Sequence, residues 1–206
     1  MTQNTSSAVM QQRGTSLAER DDFPTPCWAT RALCEYVIGD DMSQQSVHEP
    51  ACNRGFMTRA LAEYFGTVYA SDIADYCGNA VEDFLTSDGP GCDWVITNPP
   101  FKLAEQFIVK ALTVASCGVA MLCRSSFAEG RGRYERLFKE RPPTVVAQFV
   151  ERVPMVKGRC DPKASTATSY AWFVWSSEVI KLPTLYRWIP PCRKRLERPG
   201  DYELPA

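Results

Sequence analysis

Ser46-Val47-His48-Glu49-Pro50-Ala51-Cys52-Asn53-Arg54-Gly55-Phe56 is the stretch on which the fold turns. Its first half reads as a short strand that stops at an acid, and its second half as a tight turn of small residues. An amphipathic helix is expected over 57–65, where Met57, Ala60, Leu61, Tyr64 and Phe65 share one face. A second strand is expected over 67–73, with Asp72 near its end. Strand, turn, helix and strand, with an acid closing the second strand, is the plan of a nucleotide-binding βαβ unit. In such a unit the turn admits the ligand and the acid takes ribose hydroxyls.

One feature departs from phosphate-binding loops. Glu49 stands before the turn, where a carboxylate repels pyrophosphate and welcomes an ammonium. A ligand combining an amino acid with a nucleoside fits both acids, and S-adenosylmethionine answers that description. The segment from Glu49 through the turn then holds the methionine end, Asp72 the ribose, and Asp83 the adenine amine, with Phe84 packing nearby. Taken singly, Asp72 or Asp83 reads first as a helix cap or a loop acid.

Outward from this unit the chain keeps alternating. Upstream, Phe23-Pro24-Thr25-Pro26 is a rigid extended turn, and residues 28–37 have helical apolar spacing. Residues 1–20, rich in Ser, Thr and Gln, are expected to form a flexible arm. Downstream, 81–85 reads as a short third segment and 93–97 as a buried strand. A helix is expected over 103–115, a strand over 118–123, and a basic helix over 131–141, stopped by Pro142-Pro143. Two more strands, 144–150 and 170–175, flank a polar loop at 157–169 and should form an antiparallel edge. The fold class is therefore α/β: a mostly parallel central sheet with an antiparallel edge and helices on both faces.

The strand at 93–97 runs into Asn98-Pro99-Pro100-Phe101. Two prolines stiffen this backbone, the Asn98 side-chain oxygen and the Pro99 carbonyl are acceptors, and Phe101 offers a flat face. Two acceptors and a stacking plate suit a planar amine. A plain Pro-Pro loop would have the same sequence.

Composition narrows the chemistry. The 206 residues suit one domain, and no apolar run reaches the roughly 18 residues a membrane span needs. With a polar start and no apolar signal core, a cytoplasmic protein is expected. Nine cysteines without a Cys-x-x-Cys pair read as free buried thiols, and with a single histidine no structural metal is expected. Residues 1–101 carry 5 Lys/Arg against 14 Asp/Glu, and residues 102–206 carry 18 against 10. The sign of the charge changes just past the tetrapeptide. A basic second half suits a polyanion, although an unevenly charged solvated surface would look the same.

Glu49-Pro50-Ala51-Cys52-x-x-Gly55, then Ser71-Asp72, then Asp83-Phe84-Leu85, then Asn98-Pro99-Pro100-Phe101 resembles the motif series of the class I amino-methyltransferases. Phe23-Pro24-Thr25-Pro26-x-Trp28-Ala29-Thr30-Arg31 resembles the N-terminal cofactor motif of DNA N6-adenine methyltransferases, particularly small phage and prophage members with gamma-type motif order. The resemblance covers most of residues 22–176 and implies a Rossmann-like fold, with a methyltransferase domain at 22–189 between an arm at 1–21 and a basic tail at 190–206. It implies methyl transfer from S-adenosylmethionine to adenine N6 in DNA, with the base flipped into the Asn98-Pro99-Pro100-Phe101 pocket. RNA adenine, a protein glutamine amide, or a silent nucleic-acid binding module remain open. Oligomeric state and recognition sequence are not readable.

Implied cofactor residues are Thr25, Pro26, Glu49, Pro50, Ala51, Asn53, Gly55, Asp72, Ile73, Asp83, Phe84 and Asn98. Where relatives commonly carry a first glycine, this chain has Asn53, and Asn is the non-glycine residue that best tolerates left-handed backbone. Candidate phosphate contacts are Arg124, Arg131, Arg133, Lys157, Arg159 and Lys163. For 131–141, an exposed helix face paired with Glu135 and Glu140 serves as well as DNA contact.

Overall fold

A computed structural model describes residues 21–39, 41–76, 78–176 and 183–204. The expected arm, except Asp21, lies outside these residues, as does Cys77. In chain order the elements are α1 (Cys27–Leu33), which widens into a π turn over Cys34–Ile38, then β1 (Met42–Glu49), α2 (Phe56–Leu61), β2 (Phe65–Asp72) and β3 (Ala80–Val81). There follow β4 (Cys92–Thr97), α3 (Ala104–Val114), β5 (Ala115–Arg124), a 3-10 turn (Ser125–Ala128), and α4 (Arg131–Arg133), which continues as a π turn over Tyr134–Phe138. The chain then forms β6 (Val145–Phe149), β7 (Tyr170–Ser176), β8 (Leu185–Ile189) and α5 (Arg193–Leu196).

The eight strands form one sheet in the order β3-β2-β1-β4-β5-β7-β6-β8. β3, β2, β1, β4 and β5 are mutually parallel, and β7 runs antiparallel to both β5 and β6. The expected α/β class with an antiparallel element is what the chain adopts. Chain order reverses between β1 and β4, the place where doubly wound sheets hold ligands outside their strand carboxyl ends.

The strands divide their side chains between two cores because successive residues point to opposite faces. On β5, Ala120 and Leu122 join Trp28, Leu33, Ile96 and Trp172 on the α1 side. Val119, Met121 and Cys123 join Phe107, Ile108, Val95 and Phe173 on the α3 side. Burial on both faces explains the continuous apolar runs. Gly118 faces Trp94 in the β4–β5 register, and a Cβ there would lie 2.4 Å from the indole, so the close crossing requires glycine.

Three elements differ from the sequence expectation. The helix after the turn ends at Leu61 and Phe65 opens β2, because Phe65 pairs with Met42 and is buried in the core. The 131–141 helix is one short turn plus a π turn, with Arg136 reaching across to Glu105 of α3 and Lys139 to Glu135. Beyond the antiparallel pair lies an unexpected edge strand, β8, parallel to β6. Its residues are exposed from Leu185 to Trp188, so it lacks the half-buried alternation that marks a strand.

Residues 190–204 pack back onto the domain through Arg31. This arginine is 1% exposed, donates to both carboxylate oxygens of Asp201 and of Glu63, and reaches the Leu196 carbonyl at 2.6 Å. All eight described cysteines are free thiols, and six are buried. Among the described residues, no helix is long and apolar enough to cross a membrane.

Candidate functional site

The sheet brings four separated motifs to one end. Glu49 closes β1, Asp72 closes β2, Asp83 follows β3, and Asn98 follows β4. Together they line a cleft of about 390 Å³, a size suited to a ligand of drug-like dimensions. Thr25, Pro50, Ala51, Asn53, Ile73, Phe84 and Pro100 also line it, whereas Pro26, Gly55, Pro99 and Phe101 stand outside its lining.

The turn after β1 works as its sequence promised. Asn53 has φ +50° and Gly55 φ +75°, two left-handed residues that let the chain double back into α2. Asn53 therefore takes the conformation that a glycine would otherwise supply. The Asn53 backbone N–H donates to Asp72 Oδ2 at 3.0 Å, and the Ala74 N–H donates to Asp72 Oδ1 at 3.1 Å, which fixes the carboxylate at the strand end.

Glu49 is 2% exposed and accepts from the Thr58 hydroxyl. Burial pushes its pKa well above the ordinary value; the Thr58 bond opposes this and the Asp72 charge adds to it. Two acids thus converge at the mouth of the turn, an arrangement that a cation would relieve. Asp83 Oδ1 accepts from the Leu85 N–H at 3.0 Å, so it also caps a turn, and Phe84 is buried between the rings of His48 and Phe107.

Several participants carried no signal in the sequence. Asp22 accepts from Asn53 Nδ2 at 2.8 Å and from both terminal guanidinium nitrogens of Arg54, whose Cζ lies 5.3 Å from the Tyr76 ring centroid. Burial pushes the Asp22 carboxyl up, but the bonds from Arg54 and Asn53 outweigh it and hold it below its ordinary value. Asp21, Arg54, Tyr76 and Lys102 all line the cleft. The Gly158 N–H donates to the Asp22 carbonyl at 2.8 Å, which brings the 157–169 loop to the turn after β1. No spacing rule pairs residue 22 with 54 or 158; only the closed sheet does.

At the tetrapeptide, Asn98 Nδ2 donates to the Phe23 carbonyl at 3.0 Å and lies 3.6 Å from Met155 Sδ. This contact orients the amide, because only its nitrogen can face a carbonyl. Asn98 Oδ1 is then buried with no partner among the described residues, and so is Thr25 Oγ1. The expected flat face of Phe101 is covered: the Phe23 ring lies 5.4 Å away and Arg124 Cζ lies 4.4 Å over its centroid. The Phe101 N–H donates to Asp21 Oδ2 at 2.9 Å.

The basic candidates are dispersed. Arg124 lies on Phe101, and Arg131, Lys157 and Lys163 are exposed. Arg133 turns inward, donating to the Phe127 and Glu129 carbonyls and stacking over Phe127 at 4.1 Å. Arg159 pairs with Asp161 at 3.2 Å.

No known protein family and no curated protein matches the chain in sequence. Solved structures do match in shape. A candidate class I S-adenosylmethionine-dependent methyltransferase from Listeria monocytogenes aligns with TM-score 0.61 and 11% identity over 87% of this chain and 68% of its own. The modification subunit of a candidate type I restriction enzyme from Vibrio vulnificus aligns with TM-score 0.58 and 15% identity over 89% of this chain. This chain spans only 50% of that subunit's length. A candidate RNA methyltransferase from Pyrococcus horikoshii aligns with TM-score 0.54 and 15% identity over 78% of this chain and 93% of its own. At such identities the likeness establishes a Rossmann-like class I methyltransferase fold.

Proposed function

We propose that the chain transfers a methyl group from S-adenosylmethionine to the N6 amine of adenine in DNA. The observation that carries this reading is Asn98 Oδ1, a buried acceptor without a partner among the described residues, on a cleft that also holds Glu49, Asp72 and Asp83. A buried acceptor left unpaired costs about 1–3 kcal/mol, and a substrate amine would satisfy it. Thr25 Oγ1 is a second such atom on the same cleft.

The cleft's chemistry fits the cofactor end to end. Glu49 would face the ammonium, Asp72 the ribose hydroxyls, and Asp83 with Phe84 the adenine, while Thr25, Pro50, Ala51, Asn53 and Ile73 would shape the walls, Gly55 the turn, and Pro26 the segment behind Thr25. When bound, the cofactor supplies an electrophilic methyl group. Asn98 Oδ1 and the Pro99 carbonyl would accept the two hydrogens of the adenine amine. That draws its lone pair out of the ring and aims it along the line of transfer. Holding the reactants in this alignment contributes several kcal/mol.

The base must leave its stack to reach Asn98, at a few kcal/mol, and stacking on Phe101 offsets about 1–3 kcal/mol of that. Lys157, Arg159 and Lys163, on the loop tied to Asp22, together with Arg124 and Arg131, are the candidate phosphate contacts, whereas Arg133 is engaged by the Phe127 and Glu129 carbonyls. The second-half excess of basic residues supports a polyanionic substrate over a protein amide.

The test has two stages. Calorimetry with S-adenosylmethionine should show one binding site, and absence of binding at millimolar ligand overturns the reading. Labelled methyl transfer to single-stranded DNA, duplex DNA and RNA, read as N6-methyladenine by mass spectrometry, should favour DNA. Label found only on RNA or protein would replace the substrate.

A further inference from the structure

We infer that Arg124 occupies the base-stacking face of Phe101 when no substrate is bound, and that an acceptor base enters by displacing it, the released guanidinium then engaging the phosphate beside that base. Arg124 thereby becomes a specificity-determining residue that disfavours free bases and favours bases carried on a polyanion. This inference rests on the methyl-transfer reading above.

Three observations converge. First, the planar Arg124 guanidinium lies over the Phe101 ring, 4.4 Å from its centroid, the position a stacked base would take. A ring face accommodates one plane at a time. Second, the Arg124 backbone is fixed while its side chain is exposed. It ends β5 and pairs in register with Tyr170 on β7. The guanidinium is thus held beside the ring by its backbone and need only rotate about its own side chain to leave it. Third, three residues before Phe101, Asn98 is fixed by Phe23 and Met155 with Oδ1 buried and unpartnered among the described residues, an unmet hydrogen-bonding need. An adenine that replaces Arg124 on Phe101 satisfies that need.

The exchange differs between substrates. An adenine within a strand trades the arginine–ring contact for stacking and gives the displaced arginine a phosphate to bind in bidentate fashion. Free adenosine offers stacking alone and leaves the arginine unrewarded. Lysine at this position would keep the charge and lose the planar plug, because an ammonium is a compact point charge.

The experiment compares wild type, Arg124→Ala and Arg124→Lys with two probes, adenosine and a short single-stranded oligodeoxynucleotide containing one adenine. Removing an exposed arginine–ring contact should tighten adenosine binding about two- to fivefold in Arg124→Ala. The same variant should bind the oligonucleotide more weakly, with a salt slope reduced by about one. Arg124→Lys should match Arg124→Ala for adenosine and wild type for the salt slope. With 2-aminopurine in place of the adenine, the quenching that reports stacking should persist in all three proteins. Equal adenosine affinity in wild type and Arg124→Ala, weaker binding of both probes, or undetectable adenosine binding in Arg124→Ala would each overturn the inference. Cofactor binding and oligonucleotide methylation by wild type, measured alongside, separate the two failures. Their absence overturns the methyl-transfer reading, and their presence without an Arg124 effect overturns this one alone.

Discussion

Glu49→Gln should stabilise the ligand-free protein while impairing it. Glu49 sits at the end of β1, 2% exposed, with Asp72 as its charged neighbour and Thr58 as its donor. Burial raises its pKa well above the ordinary 4.5, so the folded state binds the proton more tightly than the unfolded chain. The stabilisation is fully present below about pH 4.5 and is lost as pH rises toward the folded-state value. Above pH 4.5 the unfolded chain ionises while the folded protein still holds its proton, and stability falls by about 1.4 kcal/mol per pH unit from this group. Glutamine has the same shape and no charge to desolvate. In urea titrations at pH 5, 6 and 7, the stability gap between Glu49→Gln and wild type should widen by about 1.4 kcal/mol per pH unit at first and then level off. For a chain of this length that corresponds to about 3–5 °C in melting temperature per unit. Other titrating groups are common to both proteins and cancel in the difference. If Glu49 also faces the cofactor ammonium, wild-type affinity for S-adenosylmethionine should rise over the same pH range, while the variant binds weakly and evenly. Parallel stability profiles for the two proteins would refute the burial argument. Retained cofactor affinity in Glu49→Gln would remove Glu49 from the ammonium site.

Other perturbations test other parts of the site and scaffold. Asn98→Ala should reduce methyl transfer at least a hundredfold, the scale of removing one preorganised hydrogen-bonding group, with cofactor affinity changed less than about threefold by calorimetry. Asp72→Ala removes the anchor of the Asn53 N–H and the expected ribose acceptor, so cofactor affinity should fall about tenfold or more, and an unchanged dissociation constant would exclude it from the site. Replacing Lys157, Arg159 and Lys163 by Ala should lower DNA affinity and reduce the salt slope by about two to three. An unaltered slope would leave that loop with a structural role only. Asp201→Ala leaves the buried Arg31 short of a partner, and chemical denaturation should show a loss of about 3–5 kcal/mol, whereas a loss under 1 kcal/mol would show that Glu63 alone suffices.

The order of elements and the placement of Glu49, Asp72, Asp83 and Asn98 at or just past strand ends were legible in one dimension because the signals are local. Apolar runs at strand length, small residues at a turn, and an acid or Asn at a strand end require no knowledge of distant contacts. The Asn53 turn is the clearest instance, since the residue there tolerates the left-handed backbone that the turn adopts. Boundaries were less legible: Phe65 fits a helical face by spacing, and its burial against Met42 places it in β2 instead. β8 was invisible because neither of its faces is buried as far as Trp188.

What the sequence determined by itself is the chemical inventory and its placement at strand ends, because backbone period and turn chemistry are set within a few residues. What only the tertiary structure decided is who meets whom. Closing the sheet sets Asp22 on Arg54 and Asn53, seats Arg31 between Glu63 and Asp201, fixes Asn98 through the Phe23 carbonyl, and covers Phe101 with Arg124. Each of these pairs is separated by more than twenty residues, and no local rule selects one distant arginine over another. Their selection comes from strand order and register, which the whole buried core fixes at once.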